Sequence, residues 1–228
     1  MKAIRSISGQ GWLAAGAATL YFVLWLSAPE TIAGVGESLL LSAGLGAMAL
    51  LWFLAVLCAR LRAREGNEGT FSGLAMASGL LVVAFYALGS ALRVVPGLGI
   101  SEDVAPSPAA SSIVFAEVAN NVLLHIATFW RGSLLAAVAL VALRHGGLPL
   151  WFGWLTAALA LGSFVGAISF IDSPIASTMT MVGYGSYIGF HFWVLVAGVV
   201  LAVRSASETS VDPDRRRTGP AIIEGVPR

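Results

Sequence analysis

The chain has 228 residues, 57% of them hydrophobic and 11% charged, with a net charge of +1 and a mean hydropathy of +0.85. A soluble domain carries about 25% charged residues, so this composition excludes an ordinary soluble globular domain, and the near-zero net charge offers nothing to a nucleic acid. The single cysteine, Cys58, excludes a disulfide framework and any multi-cysteine metal or iron–sulfur site.

A hydrocarbon core about 30 Å thick needs about 20 helical residues. Six apolar stretches come close to that length, at 11–28, 39–61, 71–95, 113–143, 150–171 and 181–203. The first follows Lys2 and Arg5 and has the look of a signal peptide. The residues after it, Ser27-Ala28-Pro29-Glu30, place a proline where the cleavage pattern disfavours one, so it reads as an uncleaved first transmembrane helix. The expected fold class is an all-α polytopic membrane protein with six transmembrane helices.

The basic residues set the expected orientation. Lys2, Arg5, Arg60, Arg62, Arg64, Arg144, Arg204, Arg215, Arg216, Arg217 and Arg228 fall on one side of such a chain. The other side has Arg93 with Glu30, Glu37, Glu102, Asp103 and Asp172. Positive-inside then puts both termini in the cytoplasm, which requires an even number of spans, and six is even. The location implied is a bacterial cytoplasmic (inner) membrane. The connection 96–112, with three prolines, is the longest external one. The domain division is a six-helix transmembrane region at 1–204 and a disordered cytoplasmic tail at 205–228.

The fourth stretch is unusual in its polar content, with Glu117, Asn120, Asn121, His125, Thr128 and Arg131 along one helix. Wound at about 100° per residue with Glu117 at zero, Asn121 falls near +40°, His125 near +80°, Thr128 near +20°, Arg131 near −40° and Asn120 near −60°. These groups share one face, which in a bilayer is expected to point into protein or water. Counting about 1.5 Å per residue outward from each cytoplasmic helix end places Tyr86, Arg131, Ser163 and His191 in one buried layer. Above them an outer rim gathers Arg93, Glu117, Asn121, His125, Asp172, Tyr184 and Tyr187. Tyr184 and Tyr187 also suit an aromatic belt. No acid shares the depth of Arg131. A guanidinium there must snorkel, bond to neutral oxygens, or meet an anion from outside the chain.

Small residues four apart, Gly69/Gly73 and Gly162/Gly166, are candidates for close helix packing. The turn Leu143-Arg144-His145-Gly146-Gly147-Leu148-Pro149-Leu150-Trp151-Phe152-Gly153-Trp154-Leu155 joins the fourth and fifth stretches. Pro149 suits a first helical turn, and Trp151 and Trp154 suit a water–lipid boundary. This turn and the six-span layout resemble uncharacterised six-helix integral membrane proteins of actinobacteria. The resemblance implies the fold and an inner-membrane location, and implies no activity.

The functional reading is a non-enzymatic membrane protein, accessory or transport-like. It would bind a membrane lipid or an anionic amphiphile in an outward-facing polar cavity built from Arg131, His191, Tyr86, Ser163, His125, Glu117 and Asn121. No cofactor is expected. Three alternatives compete: a purely structural bundle, a b-type haem protein with His125 and His191 as axial ligands, and an intramembrane enzyme using Ser163 with His191. The haem reading is opposed by the depth count, which separates the two histidines by roughly 10 Å.

Overall fold

A computed structural model of the chain describes residues 2–27, 36–66, 69–98, 106–169 and 174–210. Among these residues the protein is all-α, with six helices: α1 (Lys2–Leu26), α2 (Gly36–Glu65), α3 (Thr70–Leu98), α4 (Pro106–His145), α5 (Leu150–Ala167) and α6 (Ala176–Ser210). Glu30, Glu102, Asp103, Asp172 and the tail beyond Ser210 lie outside the described residues, as do the side chains of Arg93 and Glu37.

Five helices contain stretches long and apolar enough to cross a membrane: Leu41–Glu65, Thr70–Leu92, Val114–His145, Leu150–Ala167 and Ala176–Ser207. The sixth expected helix is α1, with 25 residues, whose described apolar part is Gln10–Leu26. α1 takes a full place in the bundle, packed against both α2 and α6. All six helices expose large apolar side chains, among them Leu20, Trp52, Leu80, Phe129, Leu161 and Val199. An apolar surface on every helix is costly in water and matched to hydrocarbon. The molecule is a helical membrane bundle.

The helices form a ring in chain order. Each packs on its neighbours in sequence, α1 closes the ring on α6, and α2 also touches α4. Two tight turns sit at one end, called here the arginine end. In the α2–α3 turn Gly66 and Gly69 have φ of 84° and 57°. There the Glu65 carboxylate accepts hydrogen bonds from the Phe71 and Ser72 amides at 2.6 and 2.9 Å, capping orphan donors of α3. In the α4–α5 turn Gly146 and Gly147 have φ of 73° and 89°, after which Pro149 at φ −59° leads into α5. Left-handed backbone of this kind favours glycine.

The core differs along the ring axis. Towards the arginine end it is dominated by large apolar side chains, with Phe53, Phe152, Phe190 and Trp193 fully buried, beside the buried hydroxyls of Ser72, Ser78, Thr156 and Ser205. Phe152 and Phe190 each stack on Trp193 with centroids 5.9 Å away. The Trp193 indole donates to Thr156 Oγ1 at 2.8 Å, which satisfies its buried N–H. Towards the opposite end the core carries hydroxyls, an imidazole and a guanidinium.

Of the small-residue pairs, Gly162/Gly166 lies at a helix contact. A side chain on Gly166 would meet the backbone of Gly183 on α6, and one on Gly162 would meet Ser186. Gly69 belongs to the α2–α3 turn, and a side chain on Gly73 would meet open space. The expected loop 96–112 contracts, because α3 runs to Leu98 and α4 begins at Pro106. Proline fits a first helical turn, where its missing N–H costs nothing. α6 is helical through Ser210, past the boundary expected at 204.

The polar face of α4 needs correcting. Glu117, Asn121 and His125 are exposed, while Ala116, Ala127 and Arg131 are buried and Asn120 is half-buried. On the same wheel the buried direction is near −70°, so only the Asn120/Arg131 edge of the polar stripe faces inward. Val122 and Phe129 face outward, as expected of apolar positions off the stripe. α4 has 40 residues, a length of about 60 Å. That is twice the thickness of the hydrocarbon layer, so the outer part of the helix extends past the lipid. Polar groups there have water available and need not turn inward.

Candidate functional site

Arg131 stands on the inward face of α4 between the buried Ala127 and Leu134, and is 1% exposed. A flexible stem on a ring-lining helix carries the guanidinium into the space between α3, α5 and α6. Its Nε donates to Ser163 Oγ on α5 at 3.2 Å. One terminal nitrogen donates to the Tyr86 hydroxyl on α3 at 3.0 Å. The carbon of the guanidinium lies 5.6 Å from the centre of the Tyr187 ring on α6, within cation–π range. All of these partners are neutral. A guanidinium has five N–H donors, and among the described residues only these two hydrogen bonds use them.

Ser163 is itself held in place. It donates to the Leu159 carbonyl at 2.9 Å and lies 2.7 Å from Ser186 Oγ. Ser186 reaches the same carbonyl at 3.0 Å. The contact is possible because Gly162 and Gly166 let α6 approach α5 closely.

Aromatic rings from α1 and α6 close the other side. The Trp25 indole donates to the Tyr187 hydroxyl at 3.2 Å, and Tyr187 meets Tyr86 edge-on with centroids 6.2 Å apart. His191 is 1% exposed. Its ring lies parallel to Trp25 at 4.0 Å and to Tyr21 at 5.5 Å, and Nδ1 is 2.8 Å from the Tyr187 carbonyl. Tyr21 is buried, and its hydroxyl has no hydrogen-bond partner among the described residues. That hydroxyl lies within electrostatic reach of Tyr86, Tyr187 and Arg131.

Three residues expected in one layer, Tyr86, Arg131 and Ser163, are therefore joined directly, and His191 reaches them through Tyr187. Glu117, Asn121 and His125 stay outside this cluster. The exposed His125 turns Nδ1 to the Asn121 carbonyl at 2.9 Å. His125 and His191 present their rings to different surroundings, one exterior and one interior. Ser163 Oγ bonds the Leu159 carbonyl and His191 Nδ1 bonds the Tyr187 carbonyl. Tyr187 is half-buried against the interior cluster, and its ring also stacks on that of the exposed Tyr184 with centroids 6.3 Å apart.

Sequence reasoning passed over Tyr21, Trp25 and Ser186. Tyr21 and Trp25 are four apart on α1 and so share a face, which was the available signal. Ser186 is one turn of helix from the close-packing Gly183, a signal that requires knowing which glycines meet.

A second group of cations sits at the arginine end. Arg60 and Arg64 of α2 and Arg204 of α6 line a small cavity together with the 146–148 turn. Arg60 donates to Ser205 Oγ, and Ser205 in turn bonds the Leu201 carbonyl at 2.7 Å. Comparison of the chain with protein-family models, with curated proteins and with solved structures finds no match to any of them.

Proposed function

We propose that this protein is a multi-pass protein of a bacterial inner membrane that binds an anionic amphiphile, a carboxylate or phosphate head on an apolar body, at Arg131. The role is non-enzymatic, accessory or transport-like. One observation carries the reading: a fully buried guanidinium surrounded by neutral partners, with donors to spare, in a ring interior that also holds the unpartnered Tyr21 hydroxyl. A lone cation in hydrocarbon costs at least about 2.5–3.5 kcal/mol. An anion supplied by a ligand offsets that cost, and guanidinium binds carboxylate and phosphate by paired hydrogen bonds. The head enters only if the aromatic cover of Tyr187 and Trp25 moves aside. The ring of α1 to α6 supplies the apolar surroundings for the chain of the ligand.

The orientation that serves this reading has both termini in the cytoplasm. Arg60, Arg62, Arg64, Arg144 and Arg204 gather towards one end, which positive-inside makes cytoplasmic, and Arg131 then lies in the outer half. Reporter fusions after Arg64, Arg144 and Arg204 should give cytoplasmic signals, and one after Asp103 an external signal. A cytoplasmic signal at Asp103 defeats the orientation.

The site itself is tested with Arg131→Gln, purified gently, comparing melting temperature and co-purified lipid by mass spectrometry. A neutral amide is cheaper to bury than a guanidinium and still bonds Ser163 or Tyr86, so the variant should fold and lose a bound anionic amphiphile. If the melting temperature falls while the lipid complement is unchanged, Arg131 is structural and the proposal fails. If neither changes, it fails as well.

A further inference from the structure

The Tyr187 ring adjoins two buried polar groups at once. Its centre lies 5.6 Å from the guanidinium carbon of Arg131, and it meets the His191 ring edge-on with centroids 4.6 Å apart. Tyr187 is also half-buried and stacks on the exposed Tyr184, so it stands between the interior and the surface. Its hydroxyl is fastened by the Trp25 indole at 3.2 Å. A small acidic head is no larger than the phenol ring, so a head that replaced this ring would lie beside both Arg131 and His191.

His191 sets a second condition. Its Nδ1 is 2.8 Å from the Tyr187 carbonyl. A carbonyl oxygen only accepts, so Nδ1 carries the proton, and in the neutral ring Nε2 keeps a lone pair. Among the described residues the bond at Nδ1 is the one hydrogen bond that His191 makes, so no donor meets Nε2. A buried acceptor left without a donor is unfavourable.

We infer that the head bound at Arg131 is a singly charged phosphate monoester, which takes the place of the Tyr187 ring, turns two oxygens to Arg131 and donates its remaining proton to His191 Nε2. This rests on the reading of Arg131 as an anion site and specifies the anion. Among the described residues Arg131 is the one buried fixed charge, so one negative charge is matched and a second would be left over. A carboxylate has the single charge and no proton to donate, and a phosphodiester likewise. The singly ionised monoester has one charge and one O–H. His191 is then the residue that selects the head, and Tyr187 is the plug that holds its place.

The test is calorimetric titration of the full chain in neutral detergent with decyl phosphate and decyl sulfate. The two probes share shape and tail, and only the phosphate has a proton to give. At about pH 6 half of a phosphate monoester is singly charged. The parent should bind decyl phosphate about tenfold more tightly, the effect of one hydrogen bond together with an acceptor left unmet by sulfate. His191→Phe keeps the ring and removes Nε2, and should bring the two probes within about twofold of each other. Tyr187→Ala should bind both more tightly and keep the preference, and Arg131→Gln should bind neither. If His191→Phe does not fold, the preference in the parent and in Tyr187→Ala decides. Equal affinity for the two probes, lost in Arg131→Gln, overturns the role of His191 and leaves the anion site standing. A preference that survives His191→Phe overturns that role as well. Weaker binding of both probes by Tyr187→Ala overturns the plug. Absence of Arg131-dependent binding in both the parent and Tyr187→Ala overturns the anion site and this inference with it.

Discussion

Arg131 and Arg64 are the same side chain in two settings. Arg131 is 1% exposed in the ring interior, dressed by two hydroxyls and an aromatic face. Arg64 is exposed at a helix end beside a glycine turn. At the helix end the stem lies against the Gly147 turn and the exposed head has access to water, which costs little. In the interior the 1% exposed guanidinium is cut off from the surrounding solvent, so its neighbours are part of its solvation. The contrast teaches that the sign of a cation matters less here than its access to water, and that the interior cation has to be built around while the terminal one does not.

Charge reversal is the strongest way to break this contrast. Arg131→Glu removes the donor to Ser163 and Tyr86 and leaves a carboxylate facing the Tyr86 and Tyr187 rings. An uncompensated buried charge costs about 3–5 kcal/mol, so the variant should fail to fold or melt far below the parent. Arg64→Glu in the same assay should stay within about 0.5 kcal/mol of the parent, as surface substitutions do. Thermal melting in detergent reads both. Equal destabilisation of the two would mean that the interior of the ring is wet and that Arg131 has solvent to rely on.

That Tyr86, Arg131 and Ser163 share a level is legible in the sequence, and the direction in which the α4 stripe points is not. Rise per residue is fixed in a helix, so counting from the helix ends placed Tyr86, Arg131 and Ser163 level with one another, and they are hydrogen-bonded. Rotation about the helix axis depends on packing. Glu117, Asn121 and His125 sit on the outer part of α4 and are exposed, so the polar stripe they define is rotated away from the inward direction set by Ala116, Ala127 and Leu134. Hydropathy found all six helices but placed most of their ends short. Backbone hydrogen bonding does not stop where the apolar run stops, so α4 gains residues at both ends and α6 continues to Ser210. Tyr21 and Trp25 were lost for a different reason. An aromatic residue on an apolar helix carries no mark of facing inward, and only the closure of α1 on α6 brings this pair to His191.

A smaller effect sharpens the comparison further, and it rests on the Tyr21 hydroxyl. Burying a hydroxyl without a partner is unfavourable by about 1–3 kcal/mol as read from protein mutations. Tyr21→Phe deletes that group and keeps the ring that lies parallel to His191 at 5.5 Å. If the hydroxyl is idle, the ligand-free variant should be as stable as the parent or more so, by up to about that amount, because removing an unsatisfied group restores nothing that was bonded. If the hydroxyl serves the proposed amphiphile, the same variant should bind it more weakly, by about tenfold for a hydrogen bond to a charged oxygen worth about 1.5 kcal/mol. Melting temperature without ligand and retained lipid therefore move in opposite directions. A variant that is less stable in lipid-free detergent would contradict the unpartnered state of Tyr21. A variant more stable and fully lipid-loaded would leave Arg131 without this second hand on its ligand.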